Sequence, residues 1–178
     1  MNRLQSDPEW VRENARREAE FEARVEQAKR EMDPEEKPLL ADLASVGIQV
    51  ETLWDLVNAK WDYPAAIPIL AAHLQQVRHP RLREGIARAL TVPEARGAAA
   101  KVILAELQKA DNSSSEMQWA IGRPREVRWA LANALTVAAD KSMADTIEAL
   151  IANDQYADVR ERLKKALAKA GRRRERRK

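Results

Sequence analysis

Leu82-Arg83-Glu84-Gly85-Ile86-Ala87-Arg88-Ala89-Leu90-Thr91-Val92 and Val127-Arg128-Trp129-Ala130-Leu131-Ala132-Asn133-Ala134-Leu135-Thr136-Val137 are two copies of one pattern. Both end in Ala-Leu-Thr-Val, and both place an arginine directly after the first apolar residue. Counting from that residue, the apolar positions fall at offsets 0, 4, 7 and 8: Leu82, Ile86, Ala89, Leu90 in one copy and Val127, Leu131, Ala134, Leu135 in the other. A third copy runs through Val159-Arg160, Leu163, Ala166 and Leu167, and a weaker fourth through Leu53, Leu56 and Val57. These offsets put the side chains on one face of a helix, whereas a strand would need strict alternation. The repeated word therefore predicts repeated amphipathic helices.

Each of the three clear copies comes after another stripe of the same kind: Ile67, Leu70, Leu74; Ala100, Ile103, Leu107; and Met143, Ile147, Leu150. Helix pairs are the repeating unit. The two stripes of a pair start 15 residues apart in the first pair and 16 in the third, but 27 apart in the second. The middle pair thus carries an insertion near residues 111–123, and its Asn112-Ser113-Ser114-Ser115 opening reads as an exposed loop. Prolines punctuate the scheme. Pro64, Pro80, Pro93 and Pro124 fall at expected helix starts, where a missing amide donor costs nothing. Pro68 is expected inside a helix beginning near Asp62, with a bend.

Paired helices, an interior proline in a first helix, and Val-Arg-x-x-Leu-x-x-Ala-Leu in second helices resemble HEAT-type repeats. The shorter units are similar to the HEAT-like repeats first described in phycobilin lyases. The resemblance covers roughly residues 38–170 and implies an all-α chain: an α-α superhelix, a HEAT-like solenoid of about four helix pairs preceded by an N-terminal helix. Composition agrees on the helical part, with 32 alanines against 5 glycines. Unit lengths of 33 and 43 residues between first helices, and 45 and 32 between second helices, leave the curvature open.

Outside the repeats the chain is strongly charged. Ser6-Asp7-Pro8-Glu9 is a capping box, so a helix should start there and run to about Met32, where Asp33-Pro34 should end it. Residues 1–34 form a charged helical arm, with one packing stripe at Phe21, Val25, Ala28 and Met32. Residues 171–178 form a basic tail expected to be disordered. The net charge of +3 hides this asymmetry, because residues 1–37 carry −3 and residues 160–178 carry +9.

Little in the sequence supports catalysis. The absence of cysteine excludes thiol nucleophiles and thiolate metal sites. The two histidines, His73 and His79, lie outside any metal-ligand spacing. Phosphate loops and serine elbows are missing too. Asp55 and Asp62, around Trp54, Trp61 and Tyr63, invite comparison with HEAT-like DNA glycosylases, but no glycosylase motif matches residue by residue. The competing reading is a tryptophan-capped terminal repeat with Asp62 as N-cap. The chain is therefore read as a non-enzyme with no cofactor and no metal. With no apolar run of membrane length and no signal-peptide core, no membrane partner is expected and a cytoplasmic location is the default.

In HEAT-type solenoids the second helices line the concave side, so offsets 2, 6 and 9 should face the groove. They are Glu84, Arg88, Thr91; Trp129, Asn133, Thr136; and Glu161, Lys165, Ala168. Trp129 is the expected anchor for a protein partner of acidic and apolar character. Arg88, Asn133, Glu84 and Lys165 stand around it, and Trp119, which lies with Met117 in the insertion, either joins the site or covers it. The alternative is a nucleic-acid binder using Arg83 and Arg128 with Arg172, Arg173 and Arg174 of the tail. Against it, the recurring Arg83, Arg128 and Arg160 could each pair with an acid or helix terminus of the neighbouring repeat.

Overall fold

A computed structural model describes residues 8–110 and 124–171. The expected insertion loop, with Met117 and Trp119, and Arg172, Arg173 and Arg174 lie outside the described residues, as does the start of the capping box. The chain divides into two compact units, Met1–Pro34 and Glu35–Lys178. Its helices are α1 (Pro8–Ser45), α2 (Leu53–Val57), α3 (Ala66–Gln76), α4 (Pro80–Ala89), α5 (Ala98–Lys109), α6 (Pro124–Ala138), α7 (Ala144–Ala152) and α8 (Arg160–Gly171). Short 3-10 turns span Pro93–Ala95, Lys141–Met143 and Asp154–Tyr156, and there is no strand among the described residues.

In the larger unit the helices pair in sequence order, α3 with α4, α5 with α6 and α7 with α8. Successive second helices also lie against one another: α2 on α4, α4 on α6 and α6 on α8, while α3 packs on α5. The repeated stripe explains this arrangement. Leu82, Ile86, Ala89 and Leu90 of the first copy and Leu131, Ala134 and Leu135 of the second have no exposed surface, and Ile67, Leu70, Leu74, Ile103, Leu107 and Ile147 are buried against them. Each buried aliphatic side chain contributes roughly 1.5–3 kcal/mol, so a stripe repeated along the row is enough to hold the helices in place.

Two boundaries differ from the sequence expectation. The first helix does not stop at Asp33-Pro34, since α1 runs on to Ser45. The penalty of a proline there is offset by the contacts of the next three turns. Leu39 and Leu43 are buried, Glu36 accepts a hydrogen bond from the Leu53 amide at 2.9 Å, and Glu35 accepts from the amides of Arg78 and His79 at 2.8 and 2.9 Å. A glutamate of this segment thus caps the N-terminus of α2, and tertiary contact overrides the local signal. The helix ends instead at Gly47 (φ 85°), where the Ile48 and Gly47 amides bond back to the carbonyls of Leu43 and Ala44 in a Schellman closure.

The second boundary is that of α3, which begins at Ala66 rather than near Asp62. Ala65, not Asp62, is its N-cap, and Pro68 falls in the first turn, where its missing amide has no intrahelical acceptor to lose. The bend expected at Pro68 therefore has no cause. Gly85 lies in the interior of α4, at a position where glycine costs about 1 kcal/mol relative to alanine. A Cβ there would lie 2.8 Å from Leu53 Cδ2, so glycine is what allows α2 to approach α4 this closely.

Candidate functional site

The side chains lateral to the buried stripe form a connected line across α2, α4, α6 and α8. On α4, Arg81 lies 3.7 Å above the ring of Trp54 from α2 and donates to Glu84 at 3.2 Å. Glu84 also accepts from Arg88 at 2.7 Å. Arg88 then extends toward Trp129 of α6, its guanidinium carbon 5.5 Å from the ring centroid. Arg162 of α8 lies over the same indole at 4.5 Å and donates to Asn133 at 3.0 Å. Trp129 is thus held between two cations from two neighbouring helices. Both distances fall inside the range in which a guanidinium is attracted to the ring quadrupole.

The groups along this line differ in their contact with water. Glu84 is 1% exposed, and a carboxylate so buried requires charge partners, which Arg81 and Arg88 supply. Trp129 is partly buried, with part of its ring against the core cluster. The side chain of Arg88 keeps 38% of its surface exposed, and Arg162 and Asn133 are partly exposed. The line therefore has an inner carboxylate and an outer rim of two guanidinium groups flanking an aromatic edge.

Of the residues expected to face a groove, Arg88, Trp129 and Asn133 come together here. Glu84 belongs to the same cluster, but the expectation that it is open to a partner is corrected. Its burial, between two arginines of its own helix, makes it an internal counter-charge. Lys165 and Glu161 are exposed on α8, where Glu161 accepts from Lys164 at 2.7 Å. That hydrogen bond, more than the surrounding positive charge, pulls the Glu161 carboxyl below its ordinary range. Sequence reading did not select Arg162, Arg81 or Trp54 for the surface. Their stacking depends on how far neighbouring helices are staggered, which intrahelical offsets do not contain.

The arginines at offset 1 have different surroundings. Arg128 is 2% exposed, paired with Asp158 at 3.0 Å, bonded to the Gln155 carbonyl and stacked 5.0 Å from the Tyr156 ring. Arg83 donates to Glu106 at 3.0 Å and to the Val77 carbonyl at 3.1 Å, and Arg160 pairs with Asp154 at 2.7 Å. Arg83 and Arg128 are engaged by the loops and helices beside them, which corrects their use as phosphate contacts in the alternative reading.

The aromatic-acidic segment divides in a similar way. Asp55 accepts from the amides of Glu51 and Thr52 at 3.0 and 2.9 Å, which ties the start of α2. Trp61 is 50% exposed and packs edge-on against Tyr63, with ring centroids 5.6 Å apart. Tyr63 donates to the Ala89 carbonyl at 2.9 Å, and burial, assisted by nearby Glu94, pushes its hydroxyl pKa up. Trp61, Asp62 and Tyr63 line a cleft of about 390 Å³ that also reaches Arg88, Thr91 and Glu94. This cleft adjoins the Trp129 line through Arg88. His73 is buried with its Nε2 2.7 Å from Asp42, a structural contact between α3 and α1. Among the described residues no three His, Asp or Glu side chains are grouped to hold a metal, and no helix is long and apolar enough to cross a membrane.

The chain matches no family model, no curated protein and no solved structure.

Proposed function

We propose that residues 38–170 form a HEAT-like superhelix whose second helices line a groove, and that this groove holds an acidic, apolar segment of a protein partner. The reading rests on the surroundings of Trp129. An aromatic ring flanked by two partly exposed guanidinium groups offers an apolar contact beside two charge-assisted donors. A carboxylate beside a leucine or phenylalanine would meet Arg88 or Arg162 while its neighbour covers the indole edge. The cleft at Trp61 and Tyr63 continues the surface toward α2 and would accept a second apolar side chain. The proposed role is one of binding, and Asp55 of the aromatic-acidic segment is tied into a helix start.

The test uses three fluorescein-labelled probes on the intact protein: a peptide alternating glutamate with leucine and phenylalanine, its lysine counterpart, and a 20-nucleotide single strand of DNA. The acidic peptide should bind, the lysine peptide should not, and Trp129→Ala should weaken binding by about thirtyfold, or about 2 kcal/mol. The double variant Arg88→Ala/Arg162→Ala should weaken it similarly, which guards against a folding effect of the tryptophan change. A preference for the oligonucleotide that falls steeply between low and high salt would replace this reading with the nucleic-acid one. That reading would have to rest on cations other than Arg83 and Arg128.

A further inference from the structure

The stripe on the N-terminal part of α1 has no use in the function above. Phe21 is 61% exposed and Val25 is 43% exposed, while Ala28 and Met32 continue the same face. Spacings of 4, 3 and 4 residues put Val25 and Met32 at a positions and Phe21 and Ala28 at d positions of a heptad. The residues beside this seam are then Glu22 and Lys29 at e, and Arg24 and Glu31 at g. The charges on the outer side of the helix are paired within it: Glu13 with Arg16 and Arg17, Arg16 with Glu20, and Glu26 with Arg30. Among the described residues, Glu22 and Lys29 have no ion-pair partner.

From this charge pattern we infer that residues 21–32 pair with the same segment of a second copy of the chain, antiparallel, with Phe21 opposite Met32 and Val25 opposite Ala28. An antiparallel pair matches e with e and g with g. In this register Glu22 meets Lys29 of the second copy and Arg24 meets Glu31, each contact occurring twice, so every flanking contact is attractive. Sliding the pair by one heptad sets Glu22 against Glu22 and Arg24 against Arg24. A parallel pair sets Arg24 against Lys29 and stacks Glu18 on Glu18 in the seam, with Arg17 against Glu22 as its favourable contact. Charge complementarity therefore selects one orientation and one register, and that selection singles out a second copy as the occupant of the stripe.

Sedimentation equilibrium of the full chain tests the pairing. Four seam residues per copy make a weak contact, so the mass should rise from 20.2 kDa at low micromolar concentration toward twice that value at several hundred micromolar. Phe21→Glu should hold the protein monomeric throughout without shifting its thermal melt. Lys29→Glu should weaken the dimer by roughly fivefold, because two attractive contacts become repulsive. Adding Glu22→Lys should restore it. The cysteine-free sequence permits a direct check of orientation. Phe21→Cys should not cross-link to itself, because the two positions would lie about 16 Å apart along the axis. An equimolar mixture of Phe21→Cys and Met32→Cys should cross-link on oxidation. A mass of one chain at every concentration, a dimer that survives Phe21→Glu, a dimer strengthened by Lys29→Glu, or self-cross-linking of Phe21→Cys would each overturn the inference.

Discussion

Arg128 and Arg162 lie on neighbouring second helices, and each stacks on an aromatic ring, Tyr156 for one and Trp129 for the other. Their surroundings differ. Arg128 is enclosed on the flank of α6, with a carboxylate and a carbonyl fixing its planar fork. Arg162 is partly exposed on α8, and its partner there is the neutral amide oxygen of Asn133. A guanidinium that has left water must keep all its partners, whereas one on the rim can exchange a partner for a ligand or for solvent at little cost. The flank and the rim use one residue type for opposite purposes. The flank ties the pair α7–α8 to α6, and the rim leaves its guanidinium partly open to solvent, as the proposed partner surface requires.

The largest expected effect comes from breaking the flank. Arg128→Ala should cost about 3 kcal/mol in urea unfolding, because Asp158, itself only 17% exposed, loses its counter-charge and a buried space opens beside Tyr156. Arg128→Met keeps much of the volume without the charge and should recover part of that loss. A cost below about 1 kcal/mol for the alanine variant would mean that the buried pair is dispensable, and the contrast with the rim would fail.

Trp129 should fall between the two extremes. Its ring is partly buried against the core cluster and partly open between Arg88 and Arg162, so Trp129→Ala should cost about 2 kcal/mol, less than the roughly 3–5 expected for a fully enclosed tryptophan. The difference between the emission spectra of the native chain and this variant isolates Trp129 from the other four tryptophans, and its maximum should lie between those of buried and solvated indole. A full core-like cost with a strongly blue-shifted difference spectrum would remove Trp129 from the proposed surface.

The positions of these residues were only partly legible in the sequence. The stripe at offsets 0, 4, 7 and 8 was readable because intrahelical geometry is fixed by 3.6 residues per turn, and Leu82, Ile86, Leu131 and Leu135 are fully buried as that spacing requires. The flank was readable to a lesser degree, since a periodic arginine pointed to a structural partner without naming Asp158 or Glu106. The rim was least readable. Glu84 and Arg88 both lie on the side opposite the stripe by arithmetic, yet Glu84 is enclosed while Arg88 stays partly open, a difference set by the packing of neighbouring helices and not by offsets along α4. At Pro34 the local signal was sound but outweighed, because the buried Leu39 and Leu43 and the capping carboxylates of Glu35 and Glu36 hold the following residues helical.

The smallest effect sharpens the contrast most, because it separates a rim contact from a structural one. Arg162→Ala removes the hydrogen bond to Asn133 and one of the two cations over Trp129, but both groups left behind already reach solvent. The expected cost is therefore no more than about 0.5–1 kcal/mol. The same variant should make the indole easier to reach, raising acrylamide quenching of the Trp129 component while the melt barely moves. A double-mutant cycle with Trp129→Ala should give a coupling energy of about 0.5–1 kcal/mol, the size of a partly solvated cation–π contact. Zero coupling would mean that the guanidinium merely lies near the ring, whereas coupling above about 2 kcal/mol would require a desolvated contact and would move Arg162 from the rim to the class of Arg128. Only the intermediate value fits the proposed reading, in which the Trp129 surface is ordered and yet free to accept a carboxylate from a partner.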